Sequence, residues 1–367
     1  MKLKLKETPE QIELIRAMGS KDKLKSLEAL QIFAAFVSPV AQKLLEQAGT
    51  SGLIYRQFTY DEDDSPSIPL DLYLNTNENH IQVWQQNMAG GLPSSHVSGT
   101  EEFKIATFRL DSAVNWLKKY ARRARLDVVS AAITRMTQEV LLKKERNFWA
   151  VIMKALGEAT HNGADHLLTS TTQDELSVHD FNRLMTLGKR INSSWAGGTP
   201  TAPASAGITD LFISPEIMEE VRSFAYQPMN TRAVPDTAES TAMPLPDSVR
   251  ERIFNSAGNP EIYNKTLHEL NELGTTQRYN VIFEAYAPAS VAHGSGTFDQ
   301  SDEIIVGLDL SLDQFVSPVA KNADTGATFT TEVDDQFLVR SEKQGLFGSQ
   351  ELGAVCIETR GLAGLIV

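Results

Sequence analysis

The sequence has very little of what marks several large classes of protein. Its 367 residues include one cysteine, Cys356, which excludes an internal disulfide framework and a cysteine-rich metal site. It has no run of 18 apolar residues, and no apolar stretch of signal-peptide length follows the basic start MKLKLKETPEQ. We therefore expect a soluble protein of a reducing compartment, outside the usual secretory route and without a membrane partner.

Positive charge is scarce as well. The chain carries 34 Lys and Arg against 47 Asp and Glu, a net charge of −13 at pH 7, whereas proteins that coat nucleic acid carry an excess of Lys and Arg. The glycine motifs that hold dinucleotides and nucleotide phosphates are missing from the sequence. Gly294-Ser295-Gly296 is a fragment of such a motif, and no suitable helix is predicted after it. No cofactor is expected, and any contact with DNA should lack sequence specificity.

The candidates for metal chemistry are incomplete. His161, Asp165 and His166 lie close together in HNGADH, but the glycine favours a turn, and the further ligands that a metal needs are absent nearby. The acidic run of residues 61–64 lacks the ligand spacing of a calcium loop, so an exposed turn is expected there. No metal site is predicted. An intracellular α/β enzyme that uses the histidine group is the least favoured alternative.

The segment LFISPEIMEEVRSF raises the question of a catalytic serine at a strand-to-helix corner. Ser214 can cap a helix with its hydroxyl, and Pro215 suits the first helical position. A nucleophile elbow needs glycines on both sides of the serine, and none is present. Ser214 is therefore predicted to be structural, and no catalytic residue is predicted anywhere in the chain.

The first 50 residues read as an arm of helices. Thr8-Pro9-Glu10-Gln11 begins a helix that Gly19 should end. A second helix, rich in leucine and phenylalanine, is predicted to break at Ser38-Pro39. So much apolar surface needs a cover. The sequence leaves open whether that cover is the rest of the chain or a neighbouring subunit.

After the arm, the spacing of apolar residues changes from the helical period to the alternation typical of strands. Alternating apolar residues at 68–74 and again at 103–110 predict two strands, and the Gly-, Pro- and Ser-rich residues 87–99 predict the tip of a long projecting hairpin between them. A helix without proline or interior glycine follows from Asp127 to Leu156, about 45 Å long. Seven apolar residues at helical spacing from Val129 to Leu156 form a stripe along it, which the polar residues 143–146 interrupt. Later segments mix short helices and strands, including predicted strands at Asn280–Ala285 and Glu303–Leu308, and the chain ends in strand-like sequence.

This order of elements resembles the major capsid protein of tailed bacteriophages, which has the Hong Kong 97-like fold. The arm, the hairpin IQVWQQNMAGGLPSSHVSGTEEFKIATFRLDSAVNW, the helix LDVVSAAITRMTQEVLLKKERNFWAVIMKAL, the Ser-Pro corner and the closing strands DDQFLVRSEKQGLFGSQELGAVCIETRGLAGLIV carry the resemblance. It implies an α+β fold with five segments: an N-terminal arm, an extended hairpin region, a peripheral domain with a spine helix, an axial domain and closing strands, at 1–51, 52–110, 111–178, 179–310 and 311–367.

The resemblance also implies a function. Such proteins form hexamers and pentamers that build an icosahedral shell around double-stranded DNA, assembled in the host cytoplasm and found in the virion capsid. A scaffolding protein and a portal are implied as partners, with a decoration protein as an option. Because about 50 residues precede the hairpin strands here, we expect a separate scaffolding protein or a very short processed arm. We infer no covalent crosslink between subunits. The shell of an encapsulin-like cellular nanocompartment is the main alternative.

Contacts between subunits are predicted at three places. The first is the hairpin tip, at Gly90, Gly91, Leu92 and Pro93, and the second is the hairpin base, at Arg56 and Arg109. The third is KKYARRAR, the one dense basic patch, in which four residues are expected to pair with acidic residues of adjacent copies. The residues concerned there are Lys118, Lys119, Arg122 and Arg123.

Overall fold

A computed structural model describes most of the chain, and it divides into two compact units. The first unit comprises Met1–Phe148 with Phe315–Val355, and the second comprises Trp149–Gln314 with Cys356–Val367. The described residues are 8–69, 102–161, 164–172, 174–193, 198–199, 202–203, 207–223, 261–262, 264–288, 292–293, 296–323, 325–334 and 342–367.

Helices and strands alternate irregularly along the chain. The α-helices are α1 Pro9–Met18, α2 Lys23–Gln47, α3 Ser51–Ile54, α4 Lys118–Arg122, α5 Leu126–Glu158, α6 Val178–Ser193, α7 Pro215–Ser223 and α8 Arg278–Glu284. The strands are β1 Arg56–Asp61, β2 Ser67–Pro69, β3 Glu102–Lys104, β4 Thr107–Leu117, β5 Thr160–His161, β6 Ala164–Asp165, β7 Leu167–Thr169, β8 Gly198–Thr199, β9 Ala202–Pro203, β10 Asp210–Ile213, β11 Glu261–Ile262, β12 Lys265–Glu269, β13 Ala292–His293, β14 Gly296–Thr297, β15 Ile304–Leu308, β16 Phe315–Lys321, β17 Thr330–Asp334, β18 Lys343–Gly353, β19 Val355–Cys356 and β20 Leu362–Ile366.

Helix α1 begins and ends where its sequence predicts. The hydroxyl oxygen of Thr8 accepts a hydrogen bond from the Gln11 amide at 3.4 Å, Pro9 is the first helical residue, and Gly19 follows the last. Helix α2 begins with a cap from Asp22, whose carboxylate accepts from the Leu24 amide at 3.2 Å. Local capping residues therefore define both helix starts.

The predicted break of α2 at Ser38-Pro39 is wrong. The helix runs through Pro39 for 25 residues. Proline removes one hydrogen bond, to the carbonyl of Ala35, but both residues are exposed, so water can reach that carbonyl. Burial of one face of the helix on both sides of the proline offsets the loss. The buried residues of that face include Leu30, Phe33, Val37, Ala41 and Leu45.

Helix α5 confirms the long helix predicted from Asp127 to Leu156, and its residues are divided between the two units. It has 33 residues. The predicted apolar stripe is buried at all seven positions, which is the packing expected of a long amphipathic helix. Those positions are Val129, Ile133, Met136, Val140, Phe148, Ile152 and Leu156.

The first unit contains a six-stranded sheet centred on β18. Strand β4 pairs antiparallel with β18 over its full length, from Leu117 opposite Lys343 to Thr107 opposite Gly353. The other edge of β18 is shared by β17 and β16. Strand β16 in turn pairs with β1, in parallel, and with β19. Strands β17, β18 and β20 confirm the predicted strand-rich end of the chain.

The base of the predicted hairpin is present. Strand β2 pairs antiparallel with β3, with Ile68 opposite Phe103. The return strand continues after a two-residue break as β4. The predicted tip and most of the outgoing strand lie in residues 70–101, outside the described residues.

The second unit is built on a six-stranded sheet in the order β11-β12-β10-β15-β20-β7. Every residue of β15 and β20 is buried, as expected for central strands covered on both faces. Helices α6 and α7 pack on this sheet through residues such as Phe181, Leu184 and Ile217. Strand β15 confirms the strand predicted at Glu303–Leu308.

The strand predicted at Asn280–Ala285 is wrong, because this segment is helix α8. Tyr279 and Phe283, four residues apart, are both buried, and buried Asn280 lies beside Tyr279. The Asn280 amide donates to the carbonyl of Asp302 at 2.7 Å, and its oxygen accepts from Gly274 N at 3.3 Å. Short apolar runs suit either structure, and here the helical spacing of the buried residues decides it.

Candidate functional site

The outer face of α2 carries an uncovered row of large apolar side chains. Ile32, Phe36 and Val40 are 59%, 47% and 37% exposed. Their spacing of four residues aligns them along one side of the helix, and we call them the apolar ridge. The sequence left open whether the arm is covered by its own chain or by another. Within the described residues, one face of α2 is buried in the first unit and the ridge face is not.

Helix α2 also has the composition of a membrane-spanning segment. In the described part of the chain, Lys23–Glu46 alone is long and apolar enough to cross a membrane by length and composition, a test that core helices and signal sequences also pass. Within its most apolar window, 39% is buried inside the chain.

A cavity of about 960 Å³ lies between α2 and β17, and we call it the α2 groove. The hydroxyl of Ser38 donates to the carbonyl of Phe329 at 2.7 Å and so ties the helix to the residue before β17. On the helix side the groove is lined by Leu27, Gln31, Ala34, Ala35, Ser38, Pro39 and Gln42, and on the other side by Asn322, Thr325, Gly326, Ala327, Thr330, Thr331, Glu332 and Val333.

Two adjacent residues of α5 anchor the arm: Lys144 holds the end of α2, and Glu145 holds the start of α3. Lys144 is buried, and its ammonium group donates to the carbonyl of Leu45 at 3.1 Å, in the last turn of α2. It also lies 5.5 Å from the centre of the Phe148 ring. Burial lowers the pKa of Lys144. A cation at the C-terminal end of a helix is favourable because the free carbonyls there carry negative partial charge.

Glu145 holds the start of α3 in the same way, with opposite charge. Its carboxylate accepts hydrogen bonds from Thr50 N at 3.1 Å, Thr50 Oγ1 at 2.7 Å and Ser51 N at 3.0 Å. Gly49 has φ +91°, and a side chain there would collide with Glu145. Sequence reasoning noted only a polar interruption of the spine helix at residues 143–146. That interruption marks the anchor of the arm.

The basic patch lies on α4 and the turn after it. Lys119, Arg122 and Arg123 are exposed, and Lys118 is half-buried. Arg122 Nε donates to the carbonyl of Gly19 at 2.8 Å, at the end of α1. Lys119 Nζ lies 5.2 Å from the ring of Tyr120. Arg122 therefore has a structural contact within its own chain, which sequence reasoning did not foresee.

The two arginines predicted at the hairpin base do not form one site. Arg56 begins β1 and Arg109 lies on β4, and strands β16 and β18 separate them in the sheet. Arg109 Nε donates to Asp111 Oδ1 at 2.7 Å, and its guanidinium carbon lies 5.9 Å from the Phe347 ring centre. The predicted tip contacts, Gly90 to Pro93, lie outside the described residues.

Ser214 caps a helix, as predicted. Ser214 is fully buried, and its oxygen accepts from Ile217 N at 3.0 Å, which caps α7. Its hydroxyl lies 3.1 Å from a carboxylate oxygen of Glu303. Burial raises the pKa of Glu303 to about 7, and Glu216 and Glu220 add to the rise.

The predicted turn at residues 161–166 is a short hairpin, with β5 antiparallel to β6. His166 is buried, and its Nδ1 lies 3.1 Å from the Thr359 carbonyl and 2.9 Å from the Leu362 carbonyl. Within the described residues, no group of three His, Cys, Asp or Glu side chains could hold a metal ion. The acidic residues 61–64 are exposed and end β1 in a turn, in which Asp64 N donates to the Asp61 carbonyl at 2.8 Å.

No protein-family model matches this sequence, and no curated protein sequence is similar to it. Solved structures are similar in fold. A chain from the capsid of a native GTA particle, solved with C5 symmetry, matches with a TM-score of 0.50 and 9% identity, over 87% of this chain and 90% of that chain. This match shows the fold, and the prediction of an α+β, Hong Kong 97-like capsid fold is confirmed.

Two further structures have lower scores. One is from Microbacterium phage Oxtober96, with a TM-score of 0.48 and 10% identity over 86% of this chain and 88% of that chain. The other is the holo-SrpI encapsulin complex from Synechococcus elongatus PCC 7942, with a TM-score of 0.40 and 10% identity over 72% of this chain and 75% of that chain.

Proposed function

We propose that this chain, which has the fold of a capsid subunit, is a major capsid protein that assembles with copies of itself into a closed shell. Hexamers and pentamers build an icosahedral shell around double-stranded phage DNA, which it contacts without sequence specificity. Its role is structural and not enzymatic. The shell assembles in the host cytoplasm, with a scaffolding protein and a portal as partners, and becomes the capsid of the virion.

The observation that carries this proposal is the apolar ridge. Three large apolar side chains in a row on a helix surface expose area that water disfavours, by about 25 cal/mol per Å². Contiguous exposed apolar patches mark surfaces that another molecule covers. In a protein with a capsid fold, the molecule at hand in the required number is another copy of the same chain.

Charge is consistent with the same role. A net charge of −13 suits the wall of a container in which packed DNA must remain mobile, since an acidic wall does not hold phosphate groups. We propose that the basic patch of α4 and the following turn meets acidic residues of adjacent copies. The hairpin tip and base remain proposed contacts, and the five-segment division of the chain remains a proposal.

The test compares assembly of the unaltered chain with that of a ridge variant. Phe36→Ser should reduce the yield of shells, tubes or rings, as seen by sedimentation and negative-stain electron microscopy, and should leave the melting temperature nearly unchanged because Phe36 is half-exposed. The matched control is Val281→Ser on α8, where an apolar side chain of similar exposure, 45%, is also removed.

Two results would count against the proposal. The first is normal assembly of Phe36→Ser, which would remove the ridge from the interface. The second is a chain that stays monomeric, with and without its scaffolding protein, and floats with lipid vesicles through α2. That result would assign the ridge to a membrane surface.

A further inference from the structure

The α2 groove follows the edge of a strand and not its face. Side chains of consecutive strand residues point to opposite faces. Nevertheless, four consecutive residues, Thr330 to Val333, line the groove. Among the described residues β17 pairs with β18 and with no other strand. The groove therefore runs along an edge of β17 that has backbone donors and acceptors to offer, as unpaired strand edges do.

The α2 wall of the groove offers space, apolar surface and a backbone carbonyl that can accept a hydrogen bond. The helix side carries small side chains at Ala34, Ala35 and Ser38. Pro39 lacks the N–H that would bond the carbonyl of Ala35, so this carbonyl is without its usual helical partner. Ala35 is exposed, so an extended peptide in the groove can supply a donor to this carbonyl.

The length of the groove indicates how long a peptide it can hold. Its helix wall extends from Leu27 to Gln42, which is about 22 Å at 1.5 Å per residue. An extended strand of seven residues spans about 23 Å. Among the described residues that line the groove, Glu332 is the one with a charged side chain. The occupant should therefore be about seven residues long, apolar on one side and basic on the other.

Residues 1–7 of this chain fit that description. The sequence MKLKLKE alternates apolar and basic residues strictly over its first six positions. In an extended conformation Met1, Leu3 and Leu5 fall on one side, and the three lysines fall on the other. The apolar side matches the small residues of α2, and the lysines are complementary to Glu332.

We propose that residues 1–7 of a neighbouring copy bind in the α2 groove as a strand added along Thr330 to Val333, the residues of β17 that line the groove. This inference rests on the proposed function. A neighbouring copy is the source because the groove is continuous with the apolar ridge: Ala35 and Pro39 line the groove, and Ile32 and Phe36 stand beside them on the same helix. One neighbour that covers the ridge thus brings its own segment to the groove.

The test is a crosslink that distinguishes neighbouring copies from the same copy. In the full chain with Cys356→Ser, the pair Leu5→Cys and Ala35→Cys is introduced, and Ala35 is an exposed position of the groove wall. Copies labelled with nitrogen-15 and unlabelled copies are mixed in equal amounts before assembly. A short bismaleimide is then added, and mass spectrometry identifies the linked peptides. Sedimentation and electron microscopy of the same sample show whether shells have formed.

The expected result is abundant linkage between positions 5 and 35, with labelled and unlabelled peptides joined at random. The matched control places the second cysteine on the outer strand β1, as Thr59→Cys, and should give at least several-fold less linkage. If labelled peptides are linked only to labelled peptides, and unlabelled only to unlabelled, the segment binds its own chain, and the assignment to a neighbour is overturned. Equal linkage at Thr59→Cys would overturn the assignment to the groove.

The failures of the two proposals remain distinguishable. Absence of linkage in a sample that contains shells would overturn this inference and leave the proposed function standing. Absence of both linkage and shells would overturn the inference and count against the proposed function as well. A different protein linked at Ala35→Cys would assign the groove to that partner and also overturn the inference.

Discussion

The hydroxyl of Ser214 donates a hydrogen bond to the carboxylate of Glu303 over 3.1 Å, and the same oxygen caps α7 by accepting from Ile217 N at 3.0 Å. The Ser-Pro corner is thereby joined to the residue before β15. Thr275 Oγ1 lies 3.5 Å from the second carboxylate oxygen. Two hydroxyl contacts do not offset the burial of this carboxylate, and the pKa of Glu303 is raised to about 7.

This raised pKa predicts stability that depends on pH. The folded chain holds the Glu303 proton more tightly than the unfolded chain, whose ordinary value is 4.5. The contribution is therefore fully present below about pH 4.5 and is lost as pH rises through about 7. We expect Glu303→Gln to unfold at a higher temperature than the unaltered chain at pH 8 and at a similar temperature at pH 5. Allowing for solvent screening of a half-buried group, the gain at pH 8 is about 1 kcal/mol.

The matched control for this prediction is Glu219→Gln, which neutralises an exposed carboxylate on α7. It should leave the pH profile of the melting temperature unchanged. A Glu303→Gln profile parallel to that of the unaltered chain from pH 5 to pH 8 would contradict the assignment.

Local sequence signals were sufficient for several elements. The start of α1, the Ser-Pro corner and α5 follow from capping residues and apolar spacing, which act over a few residues. The break at Pro39 was mispredicted because the cost of an interior proline depends on tertiary packing, and burial of α2 on both sides of it compensates. The segment at Asn280 was mispredicted because a short apolar run has no clear period.

The candidate site could be predicted only in part. An apolar arm was visible in the sequence, but not which of its faces stays exposed. The α2 groove joins residues 27–42 to residues 322–333, and their proximity depends on how distant strands pair. The Lys144 anchor corresponds in the sequence to the polar residues 143–146, which interrupt the apolar stripe of α5.

Removal of the Lys144 anchor should destabilise the first unit. Lys144→Ala loses the bond to the Leu45 carbonyl and leaves a cavity beside Phe148, so we expect a loss of about 2–4 kcal/mol in the free energy of unfolding. Lys144→Met keeps most of the packed stem and should lose less. The control is the exposed neighbour Lys143→Ala, expected within about 0.5 kcal/mol of the unaltered chain. Urea unfolding of all three variants decides it, and equal stabilities would refute the anchor.

The Glu145 cap should be separable from the Lys144 anchor. Glu145→Ala removes the acceptor for the Thr50 and Ser51 amides, at an expected cost of about 1–3 kcal/mol. Because those amides begin α3, hydrogen exchange should quicken at residues 50–54 more than in α1. Glu145→Gln keeps an acceptor oxygen and should retain part of the protection. Unchanged exchange at Thr50 and Ser51 in the alanine variant would show that these amides do not depend on the carboxylate.

Within the basic patch, a change at Arg123 should affect assembly without affecting the fold. Arg122 bonds to the Gly19 carbonyl at 2.8 Å, so Arg122→Glu should weaken both the fold and assembly. Arg123 is exposed, and Arg123→Glu should reduce the shell yield several-fold while the melting temperature changes little. Arg125→Glu makes the same change of net charge two residues away, at an exposed position, and is the matched control. If Arg125→Glu lowers the yield equally, the cause is net charge and not a specific contact. If Arg123→Glu forms shells normally, Arg123 does not meet an acidic partner in the assembly.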